Sequence, residues 1–149
     1  MARAGHTIGP WALRRGGVRR GLATIEAALV LPIFIMLAFG TVEYATYFNV
    51  RNKLENAARH GARAASANNA TNATVISAIE GSLGSAGIVP SAYAVSLNPP
   101  NMTGLPSGMP ISVTITATWD KVGVKVLPTA LGGIGSSKQV RGEAVMTRD

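Results

Sequence analysis

No cysteine occurs in the 149 residues, which excludes disulfide staples, zinc–thiolate sites and thiol nucleophiles. Histidine is almost as scarce: His6 lies near the amino terminus, and His60 sits among arginines. Charged residues make up only 14%, below the share usual in soluble domains, and no acidic residue precedes Glu26. Asp120 and Glu143 fall in predicted sheet segments, and nothing marks them as an acid–base pair. Neither a catalytic residue nor a metal or cofactor site is therefore assigned, and the chain is read as a non-enzyme. The formal net charge is +7, but Arg3, Arg14, Arg15, Arg19 and Arg20 supply +5 of it within residues 1–21. The rest of the chain holds 9 basic and 7 acidic side chains, or +2. A nucleic-acid partner needs a basic patch on the folded part, so none is expected.

What the sequence has in plenty is apolar chain, broken by a single carboxylate. Leu22 to Val42 is 21 residues, about 31 Å as a helix, close to the hydrocarbon thickness of a bilayer. A secretory signal would have a shorter apolar core and then a small-x-small cleavage site; here the segment runs on into helix-forming sequence. The expectation is a single membrane pass over residues 22–42. Arg14, Arg15, Arg19 and Arg20 set the topology by holding the amino terminus in the cytoplasm, so that the chain beyond the span is exported. Pro32 is expected to kink the helix, and Gly40 to mark a flexible or closely packed point. Glu26 is the anomaly. A carboxylate in hydrocarbon costs about 2.5–3.5 kcal/mol on insertion scales, so it reads as functional.

Beyond the apolar run the helical pattern continues. Tyr47, Val50, Leu54, Ala57, Gly61 and Ala64 follow steps of three and four, forming one stripe. Asn49, Asn52, Asn56, Arg59 and Arg63 follow the same steps on another face. One helix from about Leu22 to Ala67 is predicted, lipid-bound at first and amphipathic over residues 43–67. Its late stripe of small residues (Ala57, Ala58, Gly61, Ala62, Ala65) allows close approach, either by the chain's own domain or by another subunit. Glu55 is placed to pair with Arg59 one turn on. Glu43 and Tyr44 read as topological, with Tyr44 in an interfacial belt and Glu43 reaching headgroups or water.

Residues 68–149 read as a small exported domain. Thr71 to Thr74 offer helix caps, and Val75, Ile76, Ile79 and Leu83 have helical spacing that Gly81, Gly84 and Gly87 weaken and stop. Ala92 to Leu97 alternates like a half-buried strand, and Asn98 to Pro110 is a proline-rich loop. Ile111, Val113, Ile115, Ala117 and Trp119 form one face of the clearest strand. Val122 to Leu127 is expected as a weaker strand, and Lys138 to Thr147 as the last, paired beside Ile111. Asn69-Ala-Thr71, Asn72-Ala-Thr74 and Asn101-Met-Thr103 match the glycosylation sequon, a short pattern common by chance. The fold class is α+β: a long helix, a short second helix and an antiparallel sheet of three or four strands.

Three segments in this order resemble the TadE-like family, minor pseudopilins of the tight-adherence (Flp) type IV pilus system. They are Gly21-Leu-Ala-Thr-Ile-Glu26-Ala-Ala-Leu-Val-Leu-Pro-Ile-Phe, Gly40-Thr-Val-Glu43-Tyr44 and Val50-Arg-Asn-Lys-Leu-Glu-Asn-Ala-Ala-Arg59-His-Gly-Ala-Arg63. A lone Gly-x4-Glu is a weak signal; joined to an arginine leader, a span and the stalk segment, it is specific. The resemblance implies a pilin-like fold and cleavage between Gly21 and Leu22 by a prepilin peptidase, so that residues 1–21 form a cytoplasmic leader. It also implies partnership with the major Flp pilin, other pseudopilins and the inner-membrane assembly platform, with roles in adhesion and secretion. Major Flp pilins resemble Gly-x4-Glu-Tyr in very short chains, whereas Ala27 and a sizeable domain follow Glu26 here. That departure favours a minor subunit.

On this reading Gly21 lacks a side chain that would crowd a peptidase pocket, and Glu26 pairs with the ammonium of Leu22 on a neighbour, setting axial register. The plainer alternatives are a hinge at Gly21 and a headgroup-level carboxylate at Glu26. Arg59 and Arg63 are candidates to face acidic partners, against a merely solvated helix face. A second reading of the whole chain stays open: an uncleaved single-pass envelope protein whose exported domain binds something unrelated to pili.

Overall fold

The computed structural model describes residues 17–149, with side chains from Gly21 onward. Arg14 and Arg15 lie outside the described residues, as do the side chains of Arg19 and Arg20. The chain divides after Ile35 into two units. Helix α1 spans Gly17–Ser66, running through Pro32. Over residues 21–35 its side chains are exposed on every side, an arrangement compatible with a helix that crosses a membrane.

From Met36 onward the chain is one compact unit. Helix α2 spans Asn72–Ser85, followed by strands β1 (Tyr93–Asn98) and β2 (Pro110–Thr118), the single turn α3 (Trp119–Val122) and strand β3 (Gln139–Thr147). The strands form an antiparallel sheet in the order β1-β2-β3. Tyr93 lies opposite Ala117 in the first pair, and Ile115 opposite Gly142 in the second. The expected strand at Val122 to Leu127 is absent. Val122 closes the turn of α3, and Gly123 to Pro128 leads irregularly into a 3-10 turn at Thr129–Leu131. The reason is local: Trp119 is fully buried and held by backbone bonds to the Lys138 segment, which ends β2 there and turns the chain away from the sheet.

Alternation decides the sheet faces. Ile111, Val113, Ile115 and Ala117 are buried, while the intervening Ser and Thr residues of β2 face outward. Against them packs the stripe of α1: Val50, Leu54, Ala57, Ala58, Ala62 and Ala65 join Val75, Ile79 and Leu83 of α2 in one core. The small residues of α1 thus pack on the chain's own domain. A Cβ at Gly61 would lie 2.7 Å from Ile79 Cγ1 and 3.3 Å from Val113 Cγ1. One at Gly142 would lie 2.4 Å from the backbone carbon of Leu54, so β3 rests directly on the helix. The opposite face of α1 carries Asn49, Asn52, Asn56, Arg59 and Arg63, all exposed.

Helix α2 is set at both ends. The Thr71 hydroxyl accepts from Thr74 N at 3.2 Å, and Thr74 Oγ1 accepts from Thr71 N at 3.0 Å, a reciprocal capping box. At the other end Gly87, at φ +77°, donates to Gly84 O, and Ile88 N donates to Leu83 O at 2.9 Å. The left-handed glycine closes a Schellman motif, with Ile88 and Leu83 both buried. The Asn72 side chain spans to the proline-rich loop, donating to Pro100 O and accepting from Met102 N. Met102 is buried as a result.

The carboxyl end of α1 is closed by Arg148. Its guanidinium is buried and donates to the carbonyls of Ala65 (3.4 Å), Met102 (3.0 Å) and Asn68 (2.5 Å). Asp149 N donates to Ser66 O at 3.0 Å. A cation belongs here, because the last carbonyls of a helix lack partners and carry its negative dipole end. Replacing Arg148 by methionine keeps much of the volume and strands these carbonyls. The domain should lose about 2–3 kcal/mol, seen as an earlier denaturation midpoint in detergent. An unchanged midpoint would mean that desolvating the guanidinium costs as much as its bonds return.

Candidate functional site

The features expected to carry function lie along α1. Glu26 is exposed and makes no hydrogen bond or ion pair among the described residues. Around it Leu22, Ile25, Leu29 and Val30 are also exposed, Leu22 and Leu29 at about 70%. A carboxylate in such a helix is costly wherever the helix lies in hydrocarbon. The Gly21–Leu22 bond lies inside α1, and Gly21 has open space about its Cα.

Glu43 corrects the sequence reading. It is 1% exposed and reaches neither headgroups nor water. Its Oε2 accepts from Leu127 N at 3.0 Å and its Oε1 from Ile134 N at 2.7 Å. One carboxylate therefore ties the segment between α3 and β3 to the helix at two points. Between the two clamped amides the chain closes on itself: Leu131 N and Gly133 N both donate to Pro128 O, and Gly132 takes the left-handed φ of +90°. Below the clamp the Leu127 side chain lies beside Gly40, whose absent Cβ would sit 3.7 Å away. Above it Tyr47 packs against buried Trp119, ring centroids 5.7 Å apart and the planes tilted by 57°.

The signal for Glu43 was present in the stripe. Extending Tyr47, Val50, Leu54 and Ala57 backward by four, three and four residues lands on Glu43, Gly40 and Met36. Glu43 is buried, and Gly40 and Met36 are half-buried amid exposed neighbours. The covered face of the helix thus begins two turns before the apolar run ends.

Other expected pairs differ as well. Glu55 pairs with Arg51 at 3.0 Å rather than with Arg59, since Arg51 precedes it by one turn on the same exposed flank. Arg59 and Arg63 are exposed, with no ion pair among the described residues. His60 is exposed too. Asp120 is bonded to Lys125, whose hydrogen bond and charge hold its carboxyl below the ordinary range, with Lys121 adding to the effect. Glu143 is paired with Arg141 at 2.9 Å and accepts from Ser112 Oγ.

Among the described residues these features define a class: an α+β domain continuous with one N-terminal helix that is long and apolar enough to cross a bilayer. The family model described as TadE-like protein matches residues 21–63, the segment that contains Glu26, Glu43 and the stalk. The chain thus carries a TadE-like segment, which associates it with Tad (Flp) pilus systems. The match covers less than a third of the chain. No curated protein and no solved structure matches it.

Proposed function

We propose that this chain is a minor pseudopilin that takes part in assembling a Flp-type pilus. Residues 22–42 anchor it in the bacterial inner membrane, with the amino terminus cytoplasmic and residues 43–149 exported. The observation that carries the reading is Glu26: an exposed carboxylate with no partner among the described residues, on an apolar helix within the TadE-like segment and one turn after Gly21-Leu22. Prepilin peptidase cuts after Gly21, and the new Leu22 ammonium of one subunit meets Glu26 of the next. An ion pair formed in lipid removes most of the cost of holding either charge there. The partners are the major pilin, other pseudopilins and the assembly platform, and the role is structural rather than catalytic.

The test is Glu26→Ala in cells making the pilus. The variant should insert and accumulate normally, because the substitution makes the helix more apolar. It should lose co-purification with pilus subunits by about tenfold or more, as loss of a pairing worth about 1.4 kcal/mol or above requires. Normal pilus assembly and normal co-purification would overturn the pairing.

One observation favours a second reading, an uncleaved envelope protein with a binding domain unrelated to pili. The Gly21–Leu22 bond is already helical, and proteolysis acts on a transiently opened chain. Retention of Arg14 to Arg20 in the mature chain would favour that reading.

A further inference from the structure

The segment clamped by Glu43 lies beside the end of the apolar run, and its composition suits that level. Val126 to Ser137 holds no charged residue. Within it Leu131, and just before it Val124, are half exposed or more, the former on the 3-10 turn Thr129–Leu131. Leu127 packs beside Gly40, two residues inside the run that ends at Val42. On the helix nearby, Tyr44 and Phe48 are more than half exposed. Lys121, Lys125 and Lys138 flank the segment against the single acid Asp120, leaving a basic excess.

The geometry points to a bilayer-contacting loop: residues 128–133, with Leu131 at their tip, seat in the outer headgroup region beside the anchor. This rests on the reading that residues 22–42 span the membrane. Four observations fix the occupant as lipid. Leu127, immediately before the loop, lies beside Gly40 in the last turn of the span, and Glu43 just beyond the span holds both Leu127 and Ile134, so a bilayer that covers the span comes up to the loop. Its twelve-residue stretch carries no charge to oppose entry, and its turn satisfies its own amides at Leu131, Gly132 and Gly133, which removes the main cost of placing backbone in a less polar layer. Tyr44 offers the amphipathic ring suited to the same depth. The basic excess meets phosphate groups rather than an apolar partner. Glu43 is then a positioning residue. Its carboxylate sets the depth of the loop relative to the helix and so fixes the height of the exported domain above the membrane.

The absence of cysteine makes a direct test simple, because one introduced cysteine takes one spin label. Full-length protein carrying Leu131→Cys, Phe34→Cys or Ser96→Cys would be reconstituted in phosphatidylethanolamine–phosphatidylglycerol vesicles. Collisional access to oxygen and to a water-soluble nickel chelate is then measured. Phe34 reports the span, and Ser96 the exposed side of β1. The label at 131 should fall between those at 34 and 96, with nickel access about fivefold below that at 96, as burial of roughly 5–10 Å predicts. A label at 131 as open to nickel as that at 96, with 34 still shielded, overturns the loop proposal and leaves the span intact. Labels at 34 and 131 both open to nickel overturn the spanning reading and the loop with it. A label at 131 shielded from both reagents, with spin–spin broadening that grows with protein density, assigns the loop to a second copy and also overturns the proposal.

Discussion

Replacing Glu43 with alanine is expected to release the segment from Val124 to Lys138 while most of the domain stays folded. The carboxylate is the acceptor for Leu127 N and Ile134 N, and a hydrogen bond to a charged group contributes about 1.5–3 kcal/mol. The two cannot simply be added. Once undocked, the loop regains water for its amides, so the cost stops at the free energy of docking, about 3 kcal/mol. The buried core is built from α1, α2, the sheet and Trp119; of the residues from Val124 to Lys138 it is Ile134 that packs against that core, and Ile134 is itself only partly buried. The loss should therefore be local. Amides of Leu127 and Ile134 should exchange about a hundredfold faster, the factor that such a free energy implies, while those of β2 change little. Equal slowing or quickening throughout the domain would show that the clamp belongs to the global fold. Glu43→Gln should fall between, because one oxygen still accepts while the amide nitrogen faces the other N–H.

Gly142→Ala should damage the domain globally. The new methyl would stand 2.4 Å from the backbone carbon of Leu54, 2.5 Å from Glu55 N and 2.6 Å from Leu54 O. No rotamer change relieves a clash with helix backbone, so β3 has to lift from α1. Lifting opens the contact around Leu54, Ala57 and Val140, all at or near full burial. Overpacking of this kind costs about 1–3 kcal/mol when neighbours yield, and the upper end or beyond is expected where they cannot. Gly81→Ala is the matched control. It lies inside α2, nothing stands within 4 Å of its would-be Cβ, and its φ is not positive. Alanine there should stabilise by about 0.5–1 kcal/mol. Denaturation midpoints that move in opposite directions for the two variants would support this packing. A harmless Gly142→Ala would contradict it.

Much of the architecture was legible because it rests on periodicity. The alternation from Ile111 to Ala117, the spacing of Val75, Ile79 and Leu83, and the small stripe of α1 each name a buried face directly. The strand expected at Val122 to Leu127 failed because its apolar residues have a different partner. Leu127 packs beside α1 at Gly40, and the chain is captured there by Glu43. Glu43 itself was misjudged by position. A carboxylate at the end of a membrane-length run invites a topological reading, although its register with Tyr47 and Val50 placed it on the covered face. Arg148 carried no local signal at all, since its partners (Ala65, Asn68 and Met102) lie far back in the chain. Glu26 was legible as an anomaly from cost alone.

These features fit one division of labour along α1. Its first part carries an exposed acid, Glu26, and its last part is the spine of a compact domain. Glu43 stands between the two, fixing the domain's loop to the helix at the point where the apolar run ends.

The most direct test is the mass of the native polypeptide extracted from membranes of cells with an active prepilin peptidase. The account predicts a chain that begins at Leu22, with residues 1–21 gone and the terminal amine free or methylated. A chain that still carries Arg14 to Arg20 ahead of Leu22 would leave Glu26 without the ammonium assigned to it and would contradict the account.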